Sequence, residues 1–539
     1  MAIQPVSRAS VWLGKRRAAG WFRFIHNLIK RMKELGKIIL SSAYPVYVLL
    51  ITAHIALVWW LPFFPTQDGP SHLYNLVILK DLLNGGQTWG EFYVSHLSAI
   101  PNLGFHVFAY PLLTLFSPAA TEKIFITIYI LLMVVSVPFF MRSFNKPVFP
   151  FSFLVFPVIF NFNLMMGFYS YSVAIPFFLL AFGCCYRYRN TPALKKFIIF
   201  NSAGFVIYSM HLIAFGVFIL SLAAMALSES GGLKDRLRKT VNLVGIISPL
   251  LVNLLAYLLS SNDFRGIPFR FIPWSDRIID LMTLSAATLA SWQIYPSCLL
   301  FYIFICCLTF GVGNEVKDDH QGNKLTIFTD NGAQCLLLIV SALLLICLFF
   351  PFNLGAGSFF NQRFPWVILL VALPVLHVSV RYIFARYTSS ILVSIAVLFL
   401  VGNAAAMNQK NATIEEFLGG LSVNIPKGAY IMPYKIEDDY FRVDVLLHAA
   451  SYYGISKDVF VFGNYEATQD HFPVSFNTSL PKLPDNDQIF YDAETIDWVR
   501  FPAIQYLISW KNNDMSNEKI SQFFRLIYES GNLAIWQRI

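Results

Sequence analysis

Charge is scarce in this chain. Asp, Glu, Lys and Arg make up 13% of its 539 residues, roughly half the share found in soluble globular domains. That excludes a solvated surface around the whole molecule. Cysteine is sparse too. The seven residues, at 184, 185, 298, 306, 307, 335 and 347, lie in or beside apolar runs, with no CxxC or metal-ligand spacing. A zinc ribbon or a disulfide framework is thereby excluded. The last 132 residues hold no cysteine, which is compatible with an oxidising compartment. There is no glycine-rich phosphate loop and no DxD pair suited to a nucleotide sugar. Internal repeats and low-complexity tracts are also missing.

Apolar residues dominate instead. They reach 56% of the chain, with 52 Phe and a mean hydropathy of +0.57. Runs long enough to cross a bilayer recur through the first 407 residues, so the chain reads as a polytopic α-helical membrane protein. Candidate spans are 39–62, 121–141, 147–161, 165–186, 196–209, 212–228, 240–260, 296–312, 333–351, 364–384 and 388–407, about eleven in all. The runs at 147–161 and 196–209 are shorter than the ~20 residues of a spanning helix and read as tilted or partial insertions.

The net charge of +9 is carried by short basic clusters between apolar runs. That is a topology signal, and no nucleic-acid partner is read from it. Residues 1–38 form a basic amphipathic segment, expected on the cytoplasmic surface against membrane lipid in place of a cleavable signal peptide. Basic turns recur at Arg142 and Lys146, Arg187 to Lys196, Lys234 to Lys239, and Arg381 with Arg386. The alternate connections are poor in Lys and Arg, apart from Arg265, Arg270 and Arg277. The N-terminus is therefore expected inside. Residues 39–407 are the membrane region. Residues 408–539 form a small extracytoplasmic α/β domain with strand-like "GAYIMPY", "DVFVFG", "IQYLISW" and "LAIWQRI". Helix-like stretches there are "FRVDVLLHAASYYG" and "NEKISQFFRLIYES". The 63–120 loop carries two helices expected to lie on the outer surface.

Polar side chains gather at the expected outer ends of the spans. Asp68 and His72 stand in "FFPTQDGPSHLYN" after the first span. Asn161 and Asn163 separate the third from the fourth, His211 the fifth from the sixth. Asn361, Gln362 and Arg363 precede the tenth, after the glycine-containing "NLGAGSFF". Ionisable groups near hydrocarbon are costly, which favours a pocket between helices. Each has a plainer reading. Asp68, with Pro70 close behind, suits a helix N-cap. His72, four residues on, shares its face. His211 suits a structural histidine, and Arg363 a snorkelling one.

These stretches resemble the GT-C superfamily of membrane glycosyltransferases, in particular a poorly characterised bacterial branch with "DGPxH" in the first outer loop. "NFNLMMGFYSYSVAIPFFLLA" resembles the third-to-fourth span junction of bacterial members, "YSMHLIAF" their histidine-bearing span, and "FFNQRFPWVILLVALP" their arginine-bearing late span. The likeness covers 39–407 in layout. It implies a polyprenyl-phosphate sugar donor and a glycan, lipid or protein acceptor on the outer face of a bacterial plasma membrane. It further implies Asp68 as general base and Arg363 on the lipid phosphate, assisted by His211, Arg265 or Arg270. His72, Asn163 and Gln362 would bind substrate, and Glu91 and His448 would serve the acceptor. Many members carry paired acids in this loop. Here Gln67 precedes Asp68, and Asp81 and Glu91 are the later acids, so a divalent cation (Mg or Mn) is left unassigned. Two other classes remain open from the residues: a lipid-linked saccharide flippase, and a peptidase using Cys184 or Cys185.

Overall fold

A computed structural model describes residues 43–96, 101–262, 269–314, 330–355, 357–379, 385–435, 442–482, 484–490, 495–511 and 514–539. The basic N-terminal segment and Arg265 lie outside these residues.

Five helices among them are long and apolar enough to cross a membrane: Ala43–Trp60, Pro118–Ser143, Tyr169–Arg187, Asn331–Phe349 and the long helix beginning at Ala385. A sixth is added if Leu233–Ile246 and Ser248–Ser260, bent by 66°, count as one span. The other apolar runs among the described residues include several shorter helices. The 147–161 run forms an eight-residue 3-10 helix, Phe151–Val158, buried along its whole length. Pro150 precedes it and Pro157 lies within it. Proline lacks the N–H that an α-helical ladder needs. The runs at 196–209 and 212–228 form Ala193–Met210 and Leu212–Ser228, parted at His211, whose backbone is extended. The last long helix runs unbroken from Ala385 to Leu418, across the boundary expected at 407.

The C-terminal segment builds a five-stranded sheet. With β2 at Tyr430–Lys435, β3 at Phe460–Val461, β5 at Tyr506–Trp510, β6 at Phe524–Ser530 and β7 at Leu533–Arg538, the order is β3-β2-β5-β7-β6. β2 is parallel to β3 and β5, and the β5–β7 and β7–β6 pairs are antiparallel. All four strand-like stretches fall in it. The stretch "NEKISQFFRLIYES" is only half helix: Asp514–Ser521 is helical, and the rest is β6. Gly531, at φ +58°, and Asn532 close its hairpin with β7, a turn for which this residue pair is suited.

This sheet is not a loosely tethered module. Strand β1 of the first loop, Tyr93–Ser95, pairs with β4 at Val474–Phe476. The Gly69–Leu83 helix, expected on an outer surface, is buried over nearly all of Gly69 to Leu79 and packs against the Ser451–Lys457 helix. The Tyr74 hydroxyl donates to the Val459 carbonyl at 3.0 Å. Asn75 and Asn464 exchange amide hydrogen bonds at 2.8 and 2.9 Å. One apolar core runs from the membrane helices into the sheet. The first loop and the C-terminal segment therefore form a lid of joint construction, and the candidate site lies beneath it.

Candidate active site

The site begins with a clamp on Asp68. The Gln67 and Asp68 N–H groups donate to the Met165 and Met166 carbonyls at 3.0 and 3.1 Å. Gly167 follows at φ +90°, and a Cβ there would come within 2.7 Å of the Asp68 Cβ and 2.8 Å of its nitrogen. Glycine is required both for the backbone angle and for this close approach. Asn161 shapes the turn below by accepting the Leu164 N–H at 3.1 Å.

Asp68 occupies the N-cap position of the Gly69–Leu83 helix, but its side chain makes no capping bond. The carboxylate turns into the cavity instead. Oδ1 accepts from the Gln67 amide at 3.2 Å and lies 3.5 Å from His448 Nε2, and the Tyr465 hydroxyl also bonds it. Burial lifts its proton affinity to about 7, against opposing pulls from His72 and Gln67. His448 is driven the other way by burial, down to about 3, so it stands beside Asp68 as a neutral ring. The capping reading of Asp68 therefore does not describe its side chain.

The cavity has a volume of about 260 Å³. Asp68, His72, Tyr465 and His471 line it together with Arg363 and His211. Phe168, Tyr171, Phe359 and Phe472 supply aromatic wall. Arg363 is 6% exposed. Its guanidinium lies 4.2 Å from the Phe168 ring centroid and 5.0 Å from that of Tyr171. Nε donates to the Ser358 carbonyl at 2.9 Å, while buried Nη1 has no hydrogen-bond partner among the described residues. An unpaired guanidinium nitrogen in a buried wall is a donor open to an anion or a water in the cavity. At His211, Nδ1 accepts the Ile213 N–H at 3.1 Å, so the ring proton is on Nε2. Burial first, then Arg363, hold this imidazole neutral by lowering its proton affinity. It is a hydrogen-bond donor beside the arginine.

Four expected site residues stand elsewhere. Asn163 donates to the Gln362 carbonyl at 3.1 Å, and neither lines the cavity. The Gln362 side chain instead accepts from Arg442 at 3.2 Å. Arg270 is exposed, its N–H on Asn353 at 2.7 Å and its guanidinium over Phe352. Glu91 is exposed on the approach to β1 and does not reach the cavity. Tyr465, Glu466 and His471 were not singled out individually in the sequence. Cys184 and Cys185 end the Tyr169–Arg187 helix, whose first turn lines the cavity. At 1.5 Å per residue they are roughly 20 Å away along its axis, too far to act there with His211.

Among the described residues no group of three or more His, Cys, Asp or Glu side chains is placed to hold a metal ion. The second acid near Asp68, Glu466, is engaged by His72 at 3.0 Å. No step below passes through a metal ion.

The helical layout places surface elements of the first loop over a cavity at the end of the spans. The chain is an integral membrane protein by its long apolar helices. Among solved structures it is similar to ArnT from Cupriavidus metallidurans in the apo state, with a TM-score of 0.50 and 10% identity, over 92% of this chain and 98% of that one. No protein-family model and no curated protein matches it.

Proposed function

We propose that the protein is an inverting glycosyltransferase of the bacterial plasma membrane. It moves a sugar from a polyprenyl-phosphate donor to a glycan, lipid or protein acceptor on the outer side. The observation that carries this reading is the placement of Asp68 and Arg363 on one cavity wall system, within electrostatic reach of each other. One is a base poised near neutrality and the other an unsatisfied cation.

The chemistry follows from the two ends of the cavity. The acceptor hydroxyl sits against Asp68, which removes its proton as the oxygen attacks the anomeric carbon. A general base is most effective with a proton affinity near the working pH. The bond from that carbon to the phosphate oxygen breaks, and its electron pair stays on the departing lipid phosphate. Arg363 and the Nε2–H of His211 meet that charge in a buried setting, where preorganised donors stabilise it without reorganising. The aromatic walls at Phe168 and Tyr171 fix the guanidinium plane.

The test is transfer of labelled sugar from a panel of polyprenyl-phosphate donors in membranes holding wild type or Asp68→Asn. Transfer by wild type alone supports the reading. Equal transfer by both removes Asp68 from the chemistry. A flippase is the second reading, favoured by the helix pair broken at Ile247. Saccharide movement across vesicles that survives Asp68→Asn, without transfer, would establish it.

A further inference from the structure

Behind Asp68 lies a charged pair that the proposed reaction does not use directly. His72 Nε2 faces the Gly167 carbonyl at 2.8 Å, and its Nδ1 lies 3.0 Å from Glu466 Oε1. Nε2 is hydrogen-bonded to the Gly167 carbonyl, and Nδ1 meets Oε1 as a close ion pair and not as an aligned hydrogen bond. An imidazolium, with an N–H on each nitrogen, suits two facing oxygens better than a neutral ring with one N–H and one lone pair. Glu466 is fully buried, and a buried carboxylate is tolerated when a cation is paired with it.

We propose that Glu466 is a positioning residue for Asp68. By holding His72 as a cation beside the base, it lets the C-terminal segment complete the catalytic centre. This inference rests on the reading of Asp68 as the base.

The placement of Glu466 is built rather than incidental. It sits in the Tyr465–Thr468 turn, next to Asn464, which is paired with Asn75 on the helix that carries His72. Tyr465 packs its ring at a 33° tilt against His448, with centroids 4.8 Å apart, and bonds Asp68. Adjacent residues of one turn therefore grip both the base and its histidine. The other titratable groups around the pair are Asp68 itself, Tyr465, Tyr169, His106 from the Gly104–Leu113 helix, His448 and Glu122. Burial keeps His106 and His448 neutral, at about 4 and about 3. His72 is thus the histidine that bears charge here. Burial opposes that charge, but Glu466 first, then Asp68 and the Gly167 carbonyl, together outweigh it and raise the affinity. His72 acts on Asp68 more strongly than Glu466 does, in the opposite sense. Losing the pair as a unit therefore makes Asp68 harder to ionise.

The experiment compares Glu466→Gln, the double variant Glu466→Gln with His72→Gln, and wild type in the transfer assay between pH 5.5 and 9. The acid limb is expected to move up by about one pH unit in both variants. That is about a tenfold loss at pH 6, with most of the rate recovered at pH 8.5. A loss of rate uniform across pH, with the limb unmoved, would overturn the proposal. A second readout needs no activity: thermal stability at pH 6.5 in the same variants plus His72→Gln. The double variant is expected to melt above the sum of the single losses, because it leaves no lone buried charge. Additive losses would refute the pair. Coupled melting with no transfer by wild type would instead sink the glycosyltransferase reading alone.

Discussion

Asp68→Asn should make the protein more stable while abolishing transfer. The folded site raises the Asp68 carboxyl from an ordinary 3.8 to about 7, chiefly by burial. The sign follows from linkage. Between these values the folded chain holds a proton that the unfolded chain has released, so stability falls as pH rises, and the full penalty stands above pH 7. At 1.36 kcal/mol per unit, the ionised carboxylate costs about 2 kcal/mol at pH 5 and on the order of 4 kcal/mol at pH 8. Asparagine is nearly isosteric, does not titrate, and retains an oxygen for the Gln67 amide. The stabilisation by Asp68→Asn should therefore grow by roughly 2–3 kcal/mol from pH 5 to pH 8. For a chain of this length, the usual unfolding entropy per residue converts about 1 kcal/mol into about 1 °C. Thermal unfolding in detergent, followed by intrinsic fluorescence, should show the variant melting about 4 °C above wild type at pH 8 and about 2 °C above at pH 5. A variant that melts below wild type at pH 8, or by a difference independent of pH, would refute the argument. The carboxylate would then be a structural ligand and not a strained base.

Other outcomes follow from the same geometry. Arg363→Lys keeps the charge but loses the planar group between Phe168 and Tyr171, and transfer should fall at least tenfold. Arg363→Ala should fall by about a hundredfold or more, as when one preorganised donor is removed; unchanged donor kinetics would move the phosphate elsewhere. Gly167→Ala forces a side chain at φ +90° into Asp68, and should cost about 1–3 kcal/mol with loss of transfer; a normal melting curve would show that the clamp yields. Cys184→Ala should leave transfer at the wild-type rate, and loss there would revive thiol chemistry. Arg442→Ala removes the guanidinium that bonds Thr288 at 2.7 Å and Gln362 at 3.2 Å, and should lower thermal stability by about 1–3 kcal/mol. An unchanged melting temperature would refute its role in seating the C-terminal segment.

The parts legible in the sequence were those governed by local rules. Asp68 stood out because an acid beside an apolar run is costly, and Arg363 and His211 for the same reason. All three meet in one cavity. Asn163 and Gln362 stood out on equal grounds, yet the Asn163 amide donates to the Gln362 backbone and the Gln362 side chain is taken by Arg442, away from the cavity. Polarity at a helix end marks a buried polar group without telling a ligand contact from a structural one. The break between the 196–209 and 212–228 runs falls at His211, where the sequence places it. Within the 147–161 run hydropathy does not fall at Pro157, although the backbone there is a short 3-10 helix. The β6 strand was hidden because "FRLIYES" follows a helical stretch without a strong breaker, and its partner β7 decides its conformation.

The contacts of the C-terminal segment are the part composition does not show, because it separates polar from apolar chain and says nothing of what the polar part touches. Residues 408–539 read as a small extracytoplasmic α/β domain with His448 serving the acceptor. Their turn at Tyr465 and Glu466 nonetheless reaches the carboxylate that follows the first span, almost 400 positions earlier. That contact depends on β1 pairing with β4 and on the Asn75–Asn464 exchange, neither of which has a local signature. It also gives the arrangement its logic. A base at the membrane surface needs water kept away, or its proton affinity returns toward the ordinary carboxylate value. The apolar spans cover it from one side only. Covering the other side with a folded segment, while leaving an entry for substrates, produces both the burial that tunes Asp68 and the pair that prevents burial from neutralising it.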